Sequence, residues 1–155
     1  QDYREFILQQ IPQFAENSGN IVDLSGAIIG RHKGLLNYTI GQKRDMPVRN
    51  GFPLYVARID VASNTIVAAE KSELFSHTLW LEHLRFHRES DLYADKMEIK
   101  VRGLGLNPPG YIRVQKESEH LWKINLAAPA WAVAPGQPAA LYCGERLIGG
   151  GIISR

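Results

Sequence analysis

The sequence predicts a mainly β protein: a short N-terminal helix, a small central β-rich domain over residues 1–76, then a six-stranded β-barrel over residues 77–155. Three observations predict it. Apolar side chains at helical spacing mark one short helix in the first dozen residues. The next sixty alternate in short runs joined by tight-turn residues, which is hairpin patterning. Beyond residue 76, six short apolar runs recur between turn residues, as in a small closed or nearly closed barrel.

In order, Tyr3, Phe6, Ile7 and Gln10 fall at helical spacing, Asp2 can cap the start and Pro12 ends the element. A helix starting at residue 2 without lead-in reads as cut from a longer chain. Ile21, Val22 and Leu24 form a strand, Ser25-Gly26 turns, and Ala27 to Ile29 return. Leu35 to Ile40 is a strand or a helix, and Lys43 to Pro53 a loop marked by Pro47, Asn50-Gly51 and Pro53. Leu54 to Asp60 and Thr65 to Ala69 make a second hairpin about Ala62-Ser63-Asn64, and Lys71 to Phe75 a short helical turn. The barrel strands are expected at 79–84, 97–101, 111–115, 121–126, 139–143 and 147–154, with Gly149-Gly150-Gly151 giving the last one room to bend or to meet another segment closely.

Hydrophobic residues make up 45% and charged residues 22%, which is ordinary for a globular protein. The formal net charge is only +2, so a nucleic-acid footprint has to come from local clustering. Residues 31–49 supply a cluster: Arg31, Lys33, Lys43, Arg44 and Arg49 against Asp45 alone. Arg31, Lys33, Lys43 and Arg44 bracket Leu35 to Ile40, and the backbone N–H groups near Gly34 and Gly41 offer close approach to phosphate. On local sequence alone a solvated hairpin with ordinary surface charge explains the same residues.

Catalytic constellations are weak. Cys143 is the only cysteine, which excludes an intrachain disulfide and a cysteine-based zinc site, and it reads as an inert thiol. His83 and His87 lack the H-E-x-x-H glutamate and fall in a strand pattern, where a spacing of four holds imidazoles too far apart for one metal. Glu117 and Glu119 sit in an expected hairpin turn, and no phosphate loop opens a helix. No apolar run approaches the ~20 residues needed to span a bilayer, so no membrane partner is expected and a cytoplasmic location is.

The segment GRHKGLLNYTIGQKR resembles the GxHxGxxxYTxGQRxGL stretch of bacterial tRNA-specific 2-thiouridylases, enzymes that place sulfur on the wobble uridine of certain tRNAs. Pro129 to Gln137, Leu141 to Glu145 and LIGGGII at Leu147 to Ile153 resemble that family's P-x-x-A-V-x-P-G-Q…F-Y-x-G-x…L-G-G-G-I-I ending. Tyr3 to Ile7 is similar to its F-R-E-F-L, and Gly19 to Gly26 to its G-x-I-V-D-x-x-G. The matches are colinear and cover nearly the whole chain.

The resemblance implies an N-terminal ATP-pyrophosphatase domain, a central β-rich domain and a barrel similar to the second domain of elongation factor Tu, of which this chain holds the last two. It implies that ATP, with magnesium, and two catalytic cysteines belong to the N-terminal part. Neither the S-G-G-V-D-S loop nor those cysteines occur in these residues, Cys143 matching neither, so no cofactor and no activity are expected of this chain alone. Implied partners are tRNA, the N-terminal domain and a sulfur-relay protein or cysteine desulfurase as donor. Arg31, His32, Lys33, Gly34, Thr39, Gln42, Lys43 and Arg44 carry over as RNA-binding candidates. One departure stands out: where the family reads R-x-G-L-G, this chain reads Lys43-Arg44-Asp45-Met46-Pro47, which leaves the loop's conformation open. The rival reading is a non-catalytic barrel module for protein contact.

Overall fold

The computed structural model describes residues 17–101 and 107–154, and the chain divides into two units, Gln1–Leu74 and Phe75–Arg155. The helix expected over residues 2–11 lies outside the described residues.

In the first unit, β1 (Gly19–Val22) and β2 (Ile28–His32) form the expected hairpin, and β5 (Tyr55–Asp60) and β6 (Thr65–Ala69) the second. Both ladders are antiparallel, but β1 and β6 pair in parallel, with Ile21 opposite Ile66, giving the order β2-β1-β6-β5. β6 is an inner strand paired along both edges, and Ile66 to Ala69 are all buried. Ile21, Leu35, Tyr38, Leu54, Val56, Ile66 and Ala68 form the core, and each fully buried aliphatic there is worth about 1.5–3 kcal/mol.

Two expectations are refined. Leu35 to Ile40 is neither strand nor α-helix: Leu35–Asn37 is one 3₁₀ turn, after which Tyr38 runs extended. The expected loop at 43–53 contains a miniature hairpin, β3 (Val48–Arg49) and β4 (Phe52–Pro53). Its turn residues Asn50 and Gly51 both have positive φ, 52° and 82°, as an Asn-Gly hairpin turn of type I′ requires.

The second unit is one six-stranded antiparallel sheet in the order β8-β11-β12-β7-β10-β9. Its strands are β7 (Phe75–Phe86), β8 (Met97–Lys100), β9 (Ile112–Lys116), β10 (Leu121–Trp131), β11 (Pro138–Cys143) and β12 (Arg146–Ile153). The sheet curls so that its two edge strands, β8 and β9, approach each other, and Leu81, Met97, Ile99, Ile124, Leu141 and Ile153 fill the interior.

The glycine triplet has a packing role. Between Gly150↔Arg85 and Ile152↔Glu82, Gly151 alone faces His83 and Leu84, a β-bulge in which His83 takes φ 53°. A Cβ on Gly151 would stand 2.8 Å from the Glu82 carbonyl oxygen, and one on Gly149 2.3 Å from that of Arg85.

Candidate nucleic-acid interface

The cationic segment is held by an unusual node. His32 ends β2 and is 1% exposed, the one polar or charged side chain in the buried set of described residues. The Gly34 N–H donates to His32 Nδ1 at 3.1 Å, so that nitrogen carries no proton, and Nε2–H donates to the Asn64 carbonyl at 3.0 Å. Tyr38 meets the imidazole edge-to-face, with ring centroids 5.9 Å apart. Asn64 sits in the β5–β6 turn at φ 48°, and its amide reaches the carbonyls of Asn17 and Ser18. Gly19 lies opposite His32 in the ladder. A Cβ there would fall 2.0 Å from the Asn64 oxygen and 2.4 Å from His32 Nε2, so only glycine leaves room for this hydrogen bond.

This changes the role of two sequence-derived candidates. His32 has no surface to offer RNA; its ring fixes the geometry of its neighbours. Gly34 is buried at φ 102°, a conformation open to glycine, and its N–H is already given to His32. The Gly41 N–H is likewise given to the Val56 carbonyl at 2.8 Å. The amides of the two glycines themselves are thus taken up by the fold, because a buried N–H without a partner is costly.

The remaining candidates surround this node. Arg31, Lys33, Thr39, Lys43 and Arg44 are all exposed. Gln42 is half-buried and braces the loop: its amide donates to the carbonyls of Asn37 and Arg44, at 3.3 and 3.0 Å, while its own backbone carbonyl accepts the Val56 N–H. Arg31 touches the Ser18 hydroxyl, which leaves its charge in place. Lys33 and Lys43 meet no carboxylate among the described residues. Arg44 approaches Asp45 at 3.5 Å, but both side chains are well exposed, and such a pair is worth little and screens with salt.

Arg49 is the exception. Its guanidinium is bound by Asp23, 26 positions away in the β1–β2 turn, so it does not add to the cationic surface. The Ser25 hydroxyl and Arg49 hold the Asp23 carboxyl down at about 2. A charge count along residues 31–49 could not see this neutralisation, since the partner arrives through the fold.

Asp45 answers the question left by the missing family glycine. It stands where the resembled motif has glycine, and its φ is 62°. Aspartate is one of the few non-glycine residues that enter this left-handed region at modest cost. The loop's backbone shape is thus reached without the glycine.

Comparison with known proteins follows the same division. Residues 4–70 match the family described as tRNA methyl transferase PRC-barrel domain, and residues 76–153 that described as Aminomethyltransferase beta-barrel domain. The tRNA-specific 2-thiouridylase MnmA of Rickettsia typhi is 32% identical over 149 residues, 96% of this chain and 42% of that protein. The protein of the same name from Synechococcus sp. is 34% identical over 155 residues, 98% of this chain and 40% of that protein. The chain spans about two fifths of the length of the curated relatives it matches.

Proposed function

This chain belongs to the tRNA-specific 2-thiouridylase family, and we propose that it is the tRNA-binding portion of an ATP-dependent enzyme that converts the wobble uridine to 2-thiouridine. The observation that carries the reading is the segment 31–44: a backbone locked by His32, Gly34, Gly41 and Gln42, from which Arg31, Lys33, Lys43 and Arg44 project into solvent. Locked backbone and free charge suit a polyanion. The ordering cost is met during folding, and each cation that reaches a phosphate releases a condensed counterion.

Thr39 adds an exposed hydroxyl to the same segment. His32, Gly34 and Gln42 act by positioning. The chemistry belongs to an N-terminal domain outside this chain. ATP, with magnesium, would supply activation of the uracil C2 oxygen there. The helical elements among the described residues are 3₁₀ turns of three to five residues, and the glycine triplet lies inside β12, so they offer no helix N-terminus on which a triphosphate would sit. Sulfur would come from a relay protein or cysteine desulfurase acting on that domain.

The test is tRNA affinity as a function of salt. The Lys33→Ala, Lys43→Ala double variant is expected to flatten the log-affinity against log-salt slope by roughly one unit for each phosphate no longer neutralised. An unchanged slope and affinity sinks the clamp. A second reading, a protein-contact module, draws on the exposed Leu147 and Ile152 of the last strand, at 59% and 39%. It predicts no salt-dependent retardation of tRNA in a gel.

A further inference from the structure

The barrel unit carries a hollow of about 680 Å³ that the cationic segment does not explain. One wall is the outer face of β9. Ile112 and Val114 point into the core, so Tyr111, Arg113 and Gln115 face outward, and Asn125 on β10, paired with Arg113, shares that face. The other wall is the 3₁₀ turn Glu89–Tyr93 and the residues after it, which contribute Tyr93 and Asp95.

This second wall is fixed in place. Leu92 is 1% exposed in the core, and Asp91 takes Arg146 of β12 at 2.9 Å. The hollow is therefore preformed, and its volume falls in the ~300–1,000 Å³ range of small-ligand clefts.

Its chemistry is specific. Tyr93 and Tyr111 are 58% and 49% exposed, and neither ring stacks on another aromatic among the described residues. Arg113 meets no carboxylate among them. Two free aromatic faces, a planar cation and two side-chain amides are the groups that recognise an unstacked base: rings and guanidinium stack, amides read polar edges. Asp95 is the one acid in the lining; it would repel a phosphate but accept from a ribose hydroxyl or an exocyclic amine. That favours the base-and-sugar side of a nucleotide. Lys123, opposite Gln115 on the same outward face, is placed to follow the chain's phosphates.

We propose that this hollow binds one unpaired nucleotide of a single-stranded RNA segment, its base stacked on Tyr111 and Tyr93. The inference rests on the RNA-binding reading above and adds a second, base-contacting point of attachment on the barrel.

The test uses the 155-residue chain, a fluorescein-labelled single-stranded oligouridine and a tRNA transcript, with anisotropy read at several salt concentrations. Tyr111→Ala should weaken oligouridine binding by roughly five-fold or more with the salt slope unchanged, since stacking loss is not a counterion effect. Tyr111→Phe, which keeps the ring, should retain binding, and Arg113→Gln is a second, fold-sparing probe that should also weaken it. A 4-thiouridine oligonucleotide should photocrosslink to peptides containing Tyr93 or Tyr111.

If tRNA binding responds to Lys33→Ala and Lys43→Ala but oligouridine binding ignores Tyr111→Ala and Arg113→Gln, this inference falls and the clamp stands. If the tyrosine and arginine variants respond and the lysines do not, the clamp falls instead. Crosslinks confined to residues 17–74, or no oligouridine binding by the wild type, overturn the inference and leave the hollow to a protein segment.

Discussion

Replacing Gly19 by alanine puts a methyl carbon where two ends of one hydrogen bond already stand. The new Cβ would lie 2.0 Å from the Asn64 carbonyl oxygen and 2.4 Å from His32 Nε2, with Asn64 Nδ2 at 2.9 Å. Neither near atom is the loose end of a flexible chain: one is backbone, the other a ring nitrogen packed against Tyr38. Relief requires the β5–β6 turn to part from the β1–β2 hairpin, which breaks the His32–Asn64 bond. Leaving that buried donor unsatisfied costs about 1–3 kcal/mol, and forcing a methyl into a filled site about 1–3 kcal/mol more. The smaller unfolded-state entropy of alanine returns up to ~1 kcal/mol. Together these bound the net loss at about 1–6 kcal/mol, and its middle, about 2–4 kcal/mol, is a large share of the stability of a small domain.

The measurement must resolve the two units. All three tryptophans, Trp80, Trp122 and Trp131, lie in the second, so fluorescence follows only that one. Hydrogen exchange read by mass spectrometry covers both. Peptides spanning 19–32 and 60–67 should lose protection by roughly 30- to 1,000-fold, while the tryptophan unfolding midpoint stays in place. Affinity for tRNA should fall as well, since Arg31 and Lys33 flank the displaced imidazole. Unchanged exchange across β1 and β2 would refute the reasoning, as would equal loss of protection in β10.

Gly149→Ala makes the opposite assignment. Its Cβ would stand 2.3 Å from the Arg85 carbonyl, so tryptophan fluorescence should report barrel destabilisation of about 1–3 kcal/mol while exchange in β1 and β2 is unaffected. Asp45→Gly should be neutral or stabilising by up to ~1 kcal/mol, because glycine occupies φ 62° without strain; a loss of stability in thermal melts would contradict this. Asp23 contributes to the acid sensitivity of the first unit. Its carboxyl titrates lower folded than unfolded, so its contribution is complete above about pH 4 and disappears as pH falls toward about 2. Arg49→Ala, which removes one of the four hydrogen bonds lowering that value, should move the loss to higher pH in a pH titration of hydrogen exchange.

Local physics made much of this protein readable from its residues. Alternation with β-branched side chains marks Tyr55–Asp60 and Thr65–Ala69, and Ala62-Ser63-Asn64 marks the turn between them, because the pleat imposes a period of two and tight turns need small polar residues. Six short runs between turn residues likewise specify the strands of the curled sheet, whose ends differ from expectation mainly where β7 and β10 run longer, to 12 and 11 residues. The exposed cations Lys33 and Lys43 were also legible, since flanking glycines and turn residues keep them on a loop.

The tertiary structure decided what each group meets. The parallel pairing of β1 with β6 joins residues 45 positions apart, and no local pattern encodes it. His32 was legible as a polar residue in a basic segment, yet Asn64, arriving from the next hairpin, made it a buried strut. Arg49 counted as a free cation until Asp23 neutralised it. The hollow beside Tyr93 and Tyr111 exists because a 3₁₀ turn, tied down by Arg146, stands across from the outer face of β9. Propensity and period act over a few residues along the chain, whereas burial and charge pairing depend on distance in space. Sequence therefore determined the elements and the supply of charge, and folding decided which charges and rings remained available.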